Sequence, residues 1–128
     1  MVIGIGTDLM NISHLTALTP DDVFFRKTFT ERELENFRTR EEPYRYLAER
    51  FAVKEAVFKA FGISGNYARL NEIETLNDEN GVPFVNLSGK FGKLAAERGV
   101  SQVFISLSSD GGQVLAFVVL SAKDCCNK

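Results

Sequence analysis

Apolar residues recur at three- and four-residue spacings through PYRYLAERFAVKEAVFKAFG, the longest helical stretch of the chain, from Pro43 to Gly62. Tyr44, Leu47, Ala48, Phe51 and Phe58 fall on one face, the period of a helix that buries a single stripe. One acid, Glu55, lies inside that arc between Phe51 and Phe58. A carboxylate on a core-facing stripe costs several kcal/mol unless a cation, a hydrogen-bonding network or a metal meets it. The best candidate to share such a site is Asp8, at the end of the apolar opening MVIGIGTD.

The other elements follow from the same patterning. Val2 to Gly6 reads as a short apolar strand with two glycines, ending in Thr7-Asp8, and Ile12 and Leu15 predict a helical stretch from Asn11 to about Thr16. Thr19-Pro20-Asp21-Asp22 has the form of an N-cap with proline at the first helical position, opening a turn through Phe24 and Phe25. Thr30 and Glu33 make a capping box that turns Leu34 and Phe37 inward, and Gly62 ends the long helix.

The second half changes period. Leu70 to Leu76 alternates as a loose strand, Asn77 to Gly81 supplies turn residues, and Val82 to Leu87 is the hairpin partner. Phe91, Leu94 and Ala95 predict a helix ending near Gly99. Val103 to Leu107 and Val114 to Leu120 form a second hairpin around Ser108 to Gly112. Helices come mostly early and strands mostly late, an α+β pattern. A chain of 128 residues is one domain, spanning 1–128, with a polar tail expected to be flexible from about residue 122.

Charge narrows the function classes. A net charge of −2 argues against nonspecific nucleic-acid binding. No apolar run reaches the roughly 20 residues of a membrane-spanning helix, and the amino terminus has no signal-peptide pattern. Cys125 and Cys126 are the only cysteines and are adjacent, so they build no framework of bridges; a cytoplasmic protein is expected. Glu55 and Lys59 are four apart on the helix, which fits an ordinary surface ion pair equally well. Asp8 would serve as a helix cap, and Gly4 and Gly6 as aids to tight packing. Arg50 and Lys54 also fall on or near the apolar arc, however, and two carboxylates with Lys and Arg nearby suit a hard cation such as Mg²⁺ holding a phosphorylated ligand.

GIGTDLMNI at residues 4–12, followed by RYLAERFAVKEAVFKAFG at 45–62, resembles the holo-acyl-carrier-protein synthases, the short bacterial class of 4′-phosphopantetheinyl transferases. FTERELENF (29–37), NDENGVPFVNLSG (77–89) and VFISLSSDGGQVLAFVVL (103–120) fall in the same order and spacing, so the resemblance covers nearly the whole chain. It implies a transferase-like fold with an antiparallel sheet packed against a long central helix. It also implies transfer of the phosphopantetheine arm of coenzyme A to a serine of apo acyl carrier protein, in fatty acid biosynthesis, with release of adenosine 3′,5′-bisphosphate. The family's metal-binding acids match Asp8 and Glu55, and its helix lysine matches Lys59. Glu55 and Lys59 are thus the candidate catalytic residues, and Arg45, Arg50, Lys54, Lys59 and Gly62 the candidates for holding coenzyme A. A homotrimer with active sites between subunits is implied as well.

The chain departs from that family in several places, the acidic Asp21-Asp22 and a loop to Leu70 one residue shorter among them. Ser13-His14-Leu15 replaces a basic residue on the first helix, FGIS replaces FGTG after the long helix, and Ser108-Ser109-Asp110 stands where many members carry a histidine. These changes leave the metal-binding pair intact and bear on carrier choice and on adenine-end contacts. A non-catalytic relative that binds coenzyme A or carrier proteins, and an unrelated Mg²⁺ enzyme acting on a nucleotide diphosphate, are the competing readings.

Overall fold

The computed structural model describes residues 1–19, 22–63 and 69–124. The opening strand is longer than its apolar start, because pairing continues through Asp8: β1 spans Val2–Asn11. Three short helices follow, α1 (Ser13–Thr16), α2 (Val23–Thr28) and α3 (Glu31–Thr39), then the long α4 (Pro43–Ala60). A 3₁₀ turn at Leu70–Glu72 leads into β2 (Ile73–Asn77) and β3 (Pro83–Leu87), then α5 (Gly89–Arg98) and the hairpin β4 (Gln102–Asp110) and β5 (Gln113–Ser121).

The sheets are antiparallel: β1-β5-β4 in one and β2-β3 in the other. Strand β5 is central, with Asp8 opposite Ala116 on one side and Leu107 opposite the same Ala116 on the other. Val114, Ala116, Val118 and Leu120 point inward and are buried against α4. The α+β class and the antiparallel sheet packed on a long helix are therefore as expected.

Several local expectations change. Helix α4 does not bury one stripe. Leu47, Ala48, Ala52, Val53, Ala56 and Val57 are fully covered, while Tyr44, Phe51 and Phe58 are only half-buried. The helix lies between a sheet and the remaining helices, so its small residues pack on several sides and the apolar arc widens. Leu70–Glu72 is a 3₁₀ turn rather than the start of a strand. Ser108, Ser109 and Asp110 belong to β4, leaving Gly111 and Gly112 as the hairpin turn. Gly111 supplies the positive φ (60°) that such a tight turn needs.

The capping box forms as read: Thr30 N–H donates to Glu33 Oε1 (2.8 Å) and Glu33 N–H to Thr30 Oγ1 (3.3 Å). Pro20 and Asp21, expected to open α2, lie outside the described residues, and Asp22 occupies its N-cap position. The expected flexible tail is tied at its start, where Ala122 N–H donates to the Met1 carbonyl (2.8 Å). Residues 125–128, the two cysteines among them, lie outside the described residues.

Phe25, Phe29, Phe37 and Phe91 fill the core beside α4, with Phe25 in edge contact with both Phe29 (5.8 Å) and Phe37 (6.2 Å). The opposite face of the three-stranded sheet stays open. Ile5, Leu9, Phe104, Leu115 and Phe117 are exposed there, with Phe104 and Ile5 flanking Val119 in one cross-strand row.

Candidate active site

The site is built where β1 crosses α4 at unusually close range. A Cβ placed on Gly4 would stand 2.0 Å from the Ala60 carbonyl oxygen, and one on Gly6 would stand 1.9 Å from that of Ala56. The two glycines are required by this approach of backbone to backbone. Period-two alternation then puts Asp8 on the same face of β1 as Gly4 and Gly6, toward the helix. Strand β1 is also the edge of its sheet, so Asp8 stands at the rim rather than in the middle of the core.

Two of the predicted residues, Asp8 and Lys59, make contact there, and Glu55 lies within electrostatic reach of both. Lys59 Nζ donates to Asp8 Oδ1 (3.1 Å) and to the Thr7 carbonyl (3.0 Å). The simple i,i+4 reading is thus superseded: the ion pair of Lys59 is made across the strand, to Asp8. Glu55 is half-buried beside them. Burial pushes its carboxyl above the ordinary value, the negative charge of Asp8 pushes it further, and Lys59 partly opposes both. Asp8 is near enough for its charge to raise Glu55, and Lys59 is the cation beside them.

The other predicted residues do not join the cluster. Arg50 is enclosed: it donates to Asn77 Oδ1 (3.0 Å), lies over the Tyr46 ring (4.7 Å) and pairs loosely with Glu49 (3.8 Å). Lys54 is also fully enclosed, donating to Glu33 Oε1 (2.8 Å) and to the carbonyls of Ile73 (2.6 Å) and Leu70 (3.2 Å). Burial drives its ammonium down to about 8 against the opposing pull of Glu33. Neither side chain presents a face to a phosphate, because α4 is covered on those sides.

Arg45 sits at the rim. It donates to Ser109 Oγ of β4, its Nε lies 3.4 Å from Glu42 Oε2 in an ion pair without a hydrogen bond, and it helps line an open cleft of about 330 Å³ with Ile12, Tyr44 and Gly111. Gly62 is exposed at the end of α4 in a left-handed conformation (φ 67°). Sequence patterning recognised Glu33 only as a cap. Its second role, as the buried partner of Lys54, joins residues 21 apart in the chain, and no local spacing signals it.

Asp8 and Glu55 also fit a divalent cation chemically. Among the described residues no group of three or more His, Cys, Asp or Glu side chains gathers anywhere. Two carboxylates leave most of an octahedral shell to water and phosphate oxygens, the usual way Mg²⁺ is held with phosphorylated substrates.

Comparison with known proteins places the chain in a family. The model of the 4′-phosphopantetheinyl transferase superfamily matches residues 4–118. The holo-acyl-carrier-protein synthase of Serratia proteamaculans (strain 568) is 36% identical over 122 residues, covering 93% of this chain and 97% of its own. The crystal structure of the Neisseria meningitidis holo-acyl-carrier-protein synthase superposes with a TM-score of 0.84 at 35% identity, over 94% of this chain and 99% of that one. A Chronobacterium ammoniagenes synthase in complex with CoA superposes with a TM-score of 0.79 at 27% identity, over 94% and 98% of the two chains. The chain therefore belongs to the 4′-phosphopantetheinyl transferase superfamily, among its holo-acyl-carrier-protein synthases, and is an enzyme of that transferase class.

Proposed function

We propose that this protein transfers the 4′-phosphopantetheine arm of coenzyme A to a serine of apo acyl carrier protein, with Mg²⁺ held by Asp8 and Glu55. The observation that carries the reading is the Lys59–Asp8 ion pair across the β1–α4 contact, with Glu55 near enough to be raised by Asp8 as well as by burial. When bound, the cation supplies charge neutralisation at the diphosphate.

The chain's own residues do the rest. Lys59, already beside Asp8, holds a phosphate oxygen as a point charge. Arg45, at the cleft rim, is assigned to the phosphates at the adenosine end, and Gly62 to the open turn past α4. The serine oxygen attacks the phosphorus that carries the pantetheine arm, and the bond from that phosphorus to the bridging oxygen breaks. Adenosine 3′,5′-bisphosphate leaves with the electron pair. Glu55 takes the serine proton, directly or through one water; burial and the charge of Asp8 raise its carboxyl, which favours proton uptake. Arg50 and Lys54 are given no substrate role, since both are enclosed.

The working form is assigned as a homotrimer with sites between subunits. The open apolar face of the three-stranded sheet supports association of copies, and Leu9 places that face next to Asp8. No helix among the described residues is long and apolar enough to cross a membrane. A cytoplasmic place in fatty acid biosynthesis belongs to the same reading.

The test is mass spectrometry of apo acyl carrier protein incubated with coenzyme A, Mg²⁺ and this enzyme. The carrier gains one phosphopantetheine, and the gain disappears on chelation or in Glu55→Gln. A carrier that binds tightly but never gains mass would turn the reading into that of a binding module.

A further inference from the structure

Helix α4 meets β1 at backbone range through Ala56 and Ala60, so even a small rotation of the helix about its axis shifts Glu55 relative to Asp8. A helix with side chains has a radius of roughly 5–6 Å, so a turn of about 10° carries a carboxylate at its surface by about 1 Å. Productive sites tolerate only about half that displacement. Apolar packing of Leu47, Val53 and Val57 restrains that rotation by shape alone, whereas Lys54, immediately before Glu55, is held by directional bonds from three sides.

Its Nζ meets Glu33 from α3 (2.8 Å), the Leu70 carbonyl from the 3₁₀ turn (3.2 Å) and the Ile73 carbonyl at the start of β2 (2.6 Å). All three ammonium donors are used. Glu33 is fixed in turn by backbone donors from Thr30 (2.8 Å) and Thr75 (2.7 Å). Both side chains of the pair are fully buried. A buried ion pair is weak evidence of stability gained, but it defines a geometry closely, because every displaced bond leaves an unpaired group.

We infer that the Lys54–Glu33 pair is a positioning device: it sets the rotation of α4, and so presents Glu55 to Asp8 at the spacing a divalent cation needs. Lys54 touches neither substrate nor metal and acts through Glu55. This inference rests on the assignment of Asp8 and Glu55 as a cation site.

The experiment titrates Mn²⁺ into the folded protein without coenzyme A, read by electron paramagnetic resonance. Lys54→Met and the double variant Glu33→Gln with Lys54→Met are measured well below their melting temperatures. Removing both charges relieves the unpaired buried carboxylate, so the double variant keeps the fold if the single one does not. The Mn²⁺ dissociation constant is expected to rise at least about tenfold in the double variant, the size seen for partners that orient metal ligands. Affinity within twofold of the parent would overturn the positioning role. Glu55→Gln separates the two failures. If it binds Mn²⁺ as the parent does, the cation site itself is wrong; if it loses Mn²⁺ while the double variant does not, only the positioning role falls.

Discussion

Replacing Gly6 by alanine tests the link between backbone packing and chemistry most directly. The new Cβ would lie 1.9 Å from the Ala56 oxygen and 2.9 Å from the Ala60 nitrogen, whereas real Cβ atoms stay beyond about 3.0 Å. Both obstacles are backbone, so no side chain can swing aside; strand and helix must part by about 1 Å. Overpacking of this kind costs about 1–3 kcal/mol, sometimes more. The same displacement moves Asp8, two residues along β1, away from Glu55. A misplacement of about 1 Å at a catalytic group costs on the order of 10²-fold in rate. Urea unfolding followed by circular dichroism gives the first quantity, and the rate of carrier modification gives the second. Gly112→Ala, where nothing lies within 4 Å of the added carbon, is the control and should change neither. A Gly6→Ala protein within about 0.5 kcal/mol of the parent and near-normal in rate would refute the claim that the glycine contact sets the site.

Two further outcomes follow from the site's charge and from the open face of the sheet. Glu55→Gln should raise the melting temperature without metal at neutral pH. A carboxyl raised in the folded state binds more protons there than when unfolded. The parent therefore loses stability as pH climbs from the ordinary glutamate range through the raised value, and the variant does not. The gap should widen as pH rises through that raised value and shrink when Mg²⁺ is added; a flat difference across pH counts against the charge argument. Phe104→Glu places a charge on the open apolar face, in the outer strand β4, at a position half exposed in the single chain (51%). Light scattering should show the assembly falling to monomers with the melting of the single fold little changed; an unaltered mass would remove that face from the interface.

Much of this protein is legible along the chain because its signals are local. The capping box at Thr30–Glu33, the turn glycines at 81, 99 and 111 and the alternation of β5 each depend on neighbours within a few residues. The candidate acids stood out for the same reason: Glu55 interrupts an apolar helix, and Asp8 ends an apolar strand. Motif order then supplied the family. What sequence could not assign was the partner of each charge. Lys59, four residues from Glu55, pairs with Asp8 instead. Lys54 and Arg50, placed by helical spacing among the substrate residues, turn inward to Glu33 and Asn77. Helical period tells which residues share a face, but not what covers it. That is decided only when strands of both sheets, the 3₁₀ turn and the other helices close around α4 and leave Asp8 at the edge of β1.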